Sequence, residues 1–298
     1  MTLLKKIKIF LTLVLLVLGC SELFLRFMGA LDFPIYQSEE DGHYFLKSNQ
    51  NGVFLNKNRW FVNSSGFNNK EEIDLARPYI MLVGDSVVYG GNPIDYEDRI
   101  GFKLEKEISQ HVYIGGLGGW SLYNEMKFIN KNLNVAKNAN LLVIQYDNGD
   151  LSGLAKVSPG NGLHPLTKPV SANYYYFNKY IYPKIANKVT LSELPPIPEK
   201  AISRGNWEQE LLKIANSING KILFILYPDK QAFLDGKLWE EQTHDIKKFL
   251  ETNSDKFSYI DMSKDPAWNP ELYRDGIHPN IEGNQLVATA IAKYIKQI

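Results

Sequence analysis

The sequence predicts an α/β protein: a central parallel sheet of about five strands flanked by helices, preceded by a separate N-terminal membrane segment. Three observations carry this expectation. Short apolar runs alternate with amphipathic stretches along residues 79–298, the pattern of strand–helix–strand units with right-handed crossovers. The runs are continuous rather than alternating, as strands buried on both faces require. The first thirty residues, by contrast, join a basic start to an apolar run, the arrangement of a membrane-targeting element.

That N-terminal segment has Lys5, Lys6 and Lys8 ahead of an apolar run over 9–18, then Gly19-Cys20-Ser21-Glu22 and Leu23-Phe24-Leu25 before Arg26. Lysines held on the cytoplasmic side predict that the rest of the chain is exported. Three forms are open. A single-pass anchor over about 7–25 is near the minimum spanning length, with Glu22 close to the far interface. A cleaved signal peptide fits the short apolar core, although no A-x-A-like site follows. A lipoprotein signal would use Val17-Leu18-Gly19-Cys20, placing the sole cysteine, Cys20, at the acylation position.

Composition narrows the class of the remainder. The 298 residues carry 33 basic and 33 acidic side chains, so the net charge is zero, and no basic or basic-aromatic stretch offers a groove for a phosphate backbone. No nucleic-acid partner is expected. A single cysteine excludes a disulfide framework and a cysteine zinc site, and HExxH is absent, so no metal site is expected.

Along the chain, 1–29 is read as the anchor or signal segment and 30–78 as a linker and N-terminal extension. The catalytic domain is expected over 79–298. In it, strands are expected at 79–83, 111–114, 141–146, 221–227 and 257–261. Helices are expected at 96–109, 122–136, 207–216, 244–252 and 281–298. Residues 151–205 hold several prolines, the run Tyr174-Tyr175-Tyr176-Phe177 and Pro195-Pro196-Ile197-Pro198; they read as an excursion over the rim, a candidate lid. No internal repeat is present.

Ligands of parallel α/β sheets sit beyond the carboxyl ends of the strands, and three of these ends carry chemistry. The first gives Gly84-Asp85-Ser86, the third Asp147-Asn148-Gly149-Asp150, and the loop after the fifth Asp275-Gly276-Ile277-His278-Pro279. A serine hydroxyl is a poor nucleophile until a histidine takes its proton and a carboxylate fixes the imidazole tautomer. Asp275 and His278 are three residues apart, so one loop can supply both. Ser86 is then the nucleophile across the strand ends. His43, His111, His164 and His244 have no serine–acid pattern beside them and are expected to be structural or exposed. The cluster Gly116-Leu117-Gly118-Gly119-Trp120-Ser121 follows a strand, but its sixth position is serine and no acid lies about twenty residues on, unlike a dinucleotide fingerprint. Its glycine amides suit an oxyanion site better. No GxSxG elbow occurs, which argues against the α/β-hydrolase fold.

With these residues in place, 79–298 resembles the SGNH (GDSL) hydrolase family. The first block corresponds to Gly84-Asp85-Ser86, the second to 116–121 with Gly119 as the oxyanion-hole glycine, and the last to Asp275-Gly276-Ile277-His278; Pro279, Asn280, Gly283 and Asn284 are also typical. Asn63-Ser64-Ser65-Gly66-Phe67 is similar to the lead-in of membrane-anchored bacterial members. The third block departs: the family shows Gly-x-Asn-Asp, and this chain has Tyr146-Asp147-Asn148-Gly149-Asp150. Asn148 is the natural amide donor there. A one-residue shift would present Asp147 instead, and a carboxylate cannot stabilise an oxyanion.

The resemblance implies a flavodoxin-like three-layer α/β/α sandwich and a serine esterase with triad Ser86, His278 and Asp275. Its oxyanion hole would be formed by Ser86, Gly119 and Asn148, with no cofactor. With the topology above, the expected substrates are acylated envelope or exopolysaccharide sugars, or small esters, met on the extracytoplasmic side of a bacterial membrane. Two alternatives stand beside this: an O-acyltransferase that passes the acyl group to a polysaccharide, and a catalytically silent polysaccharide-binding or assembly protein of the same fold.

Overall fold

A computed structural model of the chain describes residues 2–40, 42–153, 164–182, 184–185 and 206–298. Helix α1 (Leu3–Phe27) comes first; it has no buried residue and a mean hydropathy of 2.2 over its most apolar window. Two antiparallel hairpins follow, β1 (Tyr36–Ser38) with β2 (Tyr44–Leu46) and β3 (Gln50–Phe54) with β4 (Asn58–Val62). The main sheet consists of β5 (Tyr79–Gly84), β6 (His111–Gly116), β7 (Leu141–Tyr146), β8 (Ile222–Leu226) and β9 (Phe257–Asp261). All pairs are parallel and the order is β6-β5-β7-β8-β9. Counted from β5 this is the doubly wound order 2-1-3-4-5, whose ligand crevice lies beyond the carboxyl ends of the neighbouring strands β5 and β7.

The sheet residues divide strictly by parity. Ile80, Leu82, Val112, Ile114, Val143, Leu223 and Ile225 pack on one side, against α2 (Ser86–Tyr89), α3 (Ile100–Ile108) and the C-terminal helix 281–295. Met81, Val83, Tyr113, Leu142, Ile144, Phe224 and Phe257 pack on the other, against α4 (Leu122–Lys131), α5 (Leu133–Asn138) and the helices at 207–217 and 236–252. Alternate side chains of a strand point to opposite faces, so continuous apolar runs yield two cores and three layers. Each fully buried Ile, Leu or Phe contributes about 1.5–3 kcal/mol relative to exposure.

The five strands fall where the sequence places them, within two residues at either end. The helices differ more. The expected 96–109 helix is interrupted at Arg99, which is extended (φ −79°, ψ 154°) between a short 3-10 turn and α3. The 122–136 helix divides at Asn132 into α4 and α5. The excursion contains α6 (Ala172–Tyr176), and Trp207–Ser217 forms α7. After β8 comes α8 (Lys230–Leu234), and α9 (Gly236–Thr252) starts two turns earlier than expected, capped by the Asp235 side chain on the Leu238 amide. The last helix is α10 (Ile281–Ile295).

Residues 30–78, read from the sequence as a linker and N-terminal extension, contribute side chains to the core. Tyr44, Phe45, Leu46, Trp60, Val62 and Phe67 are buried in the same core as β5 and α4. Asn68 Nδ2 donates to the Gly116 carbonyl at 2.9 Å, and Asn69 Nδ2 to that of Val112 at 2.8 Å. The segment that follows the hairpins thus covers the β6 edge of the sheet. Of the 151–205 excursion, 164–182 lies along the end of α1; Pro195-Pro196-Ile197-Pro198 falls outside the described residues.

Candidate active site

Ser86 is the first residue of α2, directly after β5. Gly84 ends the strand because a Cβ there would stand 2.5 Å from Val88 Cγ2 and 2.8 Å from Gln145 Oε1, too close for any side chain. Asp85 then caps α2, with Oδ1 accepting from the Val87 amide at 2.7 Å, while its own amide donates to Gln145 Oε1 at 3.2 Å. The buried Arg99 guanidinium braces the far end of this turn, donating to the Gly91 carbonyl at 3.3 Å and lying 5.0 Å from the Tyr89 ring centroid.

Asp275 and His278 occupy the loop before α10. His278 Nδ1 lies 3.0 and 2.9 Å from the two Asp275 carboxylate oxygens, and Asp275 Oδ1 also accepts from the Ile277 and His278 amides at 2.9 and 2.8 Å. Burial alone would raise the Asp275 pKa. The two amides and the imidazole outweigh it and hold the carboxyl down at about 2. An ionised Asp275 fixes the tautomer with hydrogen on Nδ1 and leaves Nε2 as the base. The loop is clamped by Tyr227 Oη donating to the Ile277 carbonyl at 2.7 Å and by the Tyr273–Pro279 bridge. Arg274 Nη1 ties it to the carbonyl of Gly90, the C-cap of α2, at 3.3 Å. The Ser86 turn and the His278 loop are therefore joined directly. Ser86 Oγ itself donates to Asp85 Oδ2 at 3.4 Å and forms no hydrogen bond to His278.

The glycine loop lies on the other side of Ser86: a Cβ built on Gly118 would sit 3.9 Å from that of Ser86. Gly119 has φ +77°, and a Cβ there would meet Tyr44 Oη at 3.0 Å, so glycine is needed for both reasons. Tyr44 Oη donates to the Gly118 carbonyl at 2.9 Å, with His164 Nε2 3.3 Å from the same oxygen. Because the Gly118 carbonyl and the Gly119 amide share one planar peptide, these contacts fix the direction of that amide. Trp120 Nε1 returns a bond to the Tyr44 carbonyl at 3.0 Å. Sequence reasoning missed Tyr44, which acts across a separation of 74 residues that no local motif records. The other histidines behave as expected, with His43 fully buried beside Trp120 and 2.7 Å from Asn124 Nδ2.

The third block is placed differently from expectation. Asn148 is exposed and its Nδ2 donates to Asp229 Oδ2 at 2.9 Å. Asp147 is the buried residue of the block, 8% exposed, and its Oδ1 accepts from the Gly149 amide at 2.8 Å. Asp147, not Asn148, is the side chain turned into the protein at the end of β7. Next to Gly118, beginning at His164, is a cavity of about 940 Å³ whose walls include Lys168, Tyr174, Tyr175, Asn178 and Tyr182.

No protein-family model matches the sequence, and no curated protein matches it. Solved structures do align. A member of the lipolytic protein G-D-S-L family from Veillonella parvula is 14% identical, with 74% of this chain and 99% of that one covered and a TM-score of 0.44. An acetyl xylan esterase from Butyrivibrio proteoclasticus is 11% identical over 76% and 66%, with a TM-score of 0.42. The C-terminal catalytic domain of the Streptococcus pneumoniae peptidoglycan O-acetyltransferase A is 13% identical over 74% and 94%, with a TM-score of 0.40. Identities and scores of this size transfer no activity, and the chemistry must be read from the chain's own residues.

Proposed function

We propose that this chain is a serine esterase of the SGNH type, tethered to a bacterial membrane by α1, acting on O-acyl groups of carbohydrate. The observation that carries the reading is the Asp275–His278 pair, locked in one tautomer and tied through Arg274 to the turn that presents Ser86. In the acylation step His278 Nε2 takes the Ser86 hydroxyl proton as Oγ attacks the ester carbonyl. Asp275 stabilises the imidazolium. The oxyanion is received by the Gly119 and Ser86 amides; Asn148 can join them only by leaving Asp229. Collapse expels the sugar alkoxide, which takes the proton from Nε2. Water, activated by the same nitrogen, then attacks the acyl-enzyme and releases the carboxylic acid and free Ser86.

The aromatic walls and amides of the 940 Å³ cavity suit a sugar ring, in keeping with a carbohydrate ester. Retention of α1 is supported at its C-terminal end. Glu22 accepts from the Ala172 and Asn173 amides and from Ser171 Oγ, each at 2.9 Å, and Arg26 donates to the Val170 carbonyl. Cleavage beyond Arg26 would remove these contacts, whereas acylation at Cys20 would keep them. The test is turnover of an activated acetyl ester and of acetylated oligosaccharides by the full chain in detergent. Release of acetate supports the esterase reading, acetylation of an added sugar makes the chain a transferase, and no turnover of any ester rejects both.

A further inference from the structure

The last turns of α1 carry a second segment, residues 170–182, bonded along them. Glu22 accepts from the Ala172 and Asn173 amides and from Ser171 Oγ, and Ser171 Oγ in turn accepts from the Tyr174 amide at 3.2 Å. The three amides that the start of α6 leaves open are thus all taken without water. Asn173 Nδ2 donates to the Leu18 carbonyl at 2.8 Å, Ser21 Oγ donates to Asn173 Oδ1 at 3.0 Å, and Arg26 donates to the Val170 carbonyl. Toward the domain, Tyr176 Oη donates to the Ala30 carbonyl at 2.7 Å and Tyr175 stacks on Phe33 with ring centroids 5.0 Å apart. What remains outward is apolar or aromatic. Val170 is 93% exposed and Tyr174 70%, and Tyr180 and Ile181 stand exposed on the turn Phe177–Ile181 that continues α6. Residues 164–182 contain no acidic side chain. Of their two lysines, Lys168 donates to the carbonyls of Leu31 and Phe33, and Lys179 donates to Tyr175 Oη at 3.2 Å.

We propose that residues 170–182 form a second membrane contact, with α6 and the turn after it lying in the outer bilayer interface and Val170, Tyr174 and Tyr180 facing lipid. The inference rests on α1 spanning the membrane, as in the function proposed above. Helix rise then sets the depth. A hydrocarbon core of about 30 Å takes about twenty residues at about 1.5 Å each. Counted from Lys5 it ends near Leu25, and counted from Lys8 near Met28. Asn173, bonded at Leu18, therefore lies about 10 Å inside the outer boundary by the shorter count, the depth at which interfacial helices sit. The occupant is lipid because the face is continuous with the exposed surface of α1, where Leu23, Phe24 and Phe27 stand at the same level. Tyrosines suit that level, with the ring in the apolar boundary and the hydroxyl among the headgroups. Backbone is tolerated there only when it is satisfied internally, and the bonds from Glu22 and Asn173 meet that condition. The cavity that begins at His164 has Val170, Tyr174 and Tyr182 in its walls, so the space beside the glycine loop is held at the bilayer surface.

The test uses the full chain reconstituted into phosphatidylcholine–phosphatidylglycerol vesicles. In a Cys20→Ser background, Val170→Cys, Tyr174→Cys and Tyr180→Cys each supply one thiol for a bimane label. Leu15→Cys in the middle of α1 and Ser254→Cys, in the turn before β9 at the amino end of the sheet, are the references. All five side chains are exposed, so the variants should keep the wild-type circular dichroism spectrum. With lipids carrying a nitroxide high on the acyl chain, the labels at 170, 174 and 180 should lose most of their fluorescence and the label at 254 none. A nitroxide at the chain end should quench the label at 15, and iodide in the water only the label at 254. Labels at 170, 174 and 180 that stay bright with nitroxide lipid and are quenched by iodide, beside a quenched Leu15→Cys, would overturn the second contact and leave the tether standing. Labels closed to both quenchers would place a second copy of the chain on this face and overturn it as well. An unquenched Leu15→Cys would reject the tether and the contact with it.

Discussion

Two aspartates stand at opposite edges of the same crevice in opposite electrostatic states. Asp275 lies on an outer loop with its side chain 48% exposed, and two amides and an imidazole converge on it, so it is held ionised at about 2. Asp147 is buried at the end of β7, the strand beside β5, and burial raises its pKa. Burial acts in the same direction on both; the difference is the number of donors each carboxylate can recruit. The outer acid can therefore steady a developing imidazolium, while burial favours the neutral form of the inner one. One crevice needs both, because a second full negative charge beside the oxyanion would oppose the reaction that Asp275 assists.

The largest expected effects break the outer half. His278→Ala should lower kcat by about 10⁴–10⁶ and Asp275→Ala by about 10⁴, with the double variant little worse than His278→Ala, because members of one relay are not additive. Multiplicative losses would show the two residues working separately. Next comes the glycine loop. Gly119→Ala combines a left-handed backbone with a Cβ 3.0 Å from Tyr44 Oη, and displacing this amide should cost about 10²–10³ in kcat with little change in KM. Unchanged kcat would remove Gly119 from the hole.

A smaller effect sharpens the inner half. Asn148 is engaged with Asp229, so Asn148→Ala should alter kcat by no more than about threefold, against the 10²–10³ typical of a lost oxyanion donor. A loss in the larger range would mean that the amide swings from Asp229 onto the substrate. The smallest effect is on stability. A carboxyl whose pKa is lowered on folding stabilises the native state above its unfolded pKa and ceases to do so as pH falls through the folded value. Asp275→Asn should therefore reduce the acid-side loss of stability between about pH 4 and 2, measured by urea unfolding, and leave the alkaline side alone.

How much of this was legible in the sequence follows from how local each feature is. The strands announce themselves because a sheet covered on both faces needs unbroken apolar runs, and 79–83 or 141–146 can hardly be anything else. Asp275 and His278 were readable because one short loop brings them together. The hairpins between residues 36 and 62 were not, since strands of three to five residues leave too few positions for an alternation to register. Helix α9 began early because the Asp235 cap precedes Gly236, a residue that reads as a breaker. At the end of β7, turning inward by one residue decides between Asn148 and Asp147. It goes with the contact between Asn148 and Asp229, eighty-one positions apart, and no local pattern encodes it.

The central claim is that Ser86 is made nucleophilic by the Asp275–His278 pair. It is tested most directly by treating the full chain with a fluorophosphonate, which reacts with serines activated in this way, and mapping the adduct by mass spectrometry. The expected result is stoichiometric labelling at Ser86, absent in Ser86→Ala and strongly slowed in His278→Ala, with both variants retaining the wild-type circular dichroism spectrum. Labelling elsewhere, or none in a folded wild-type protein, would contradict it.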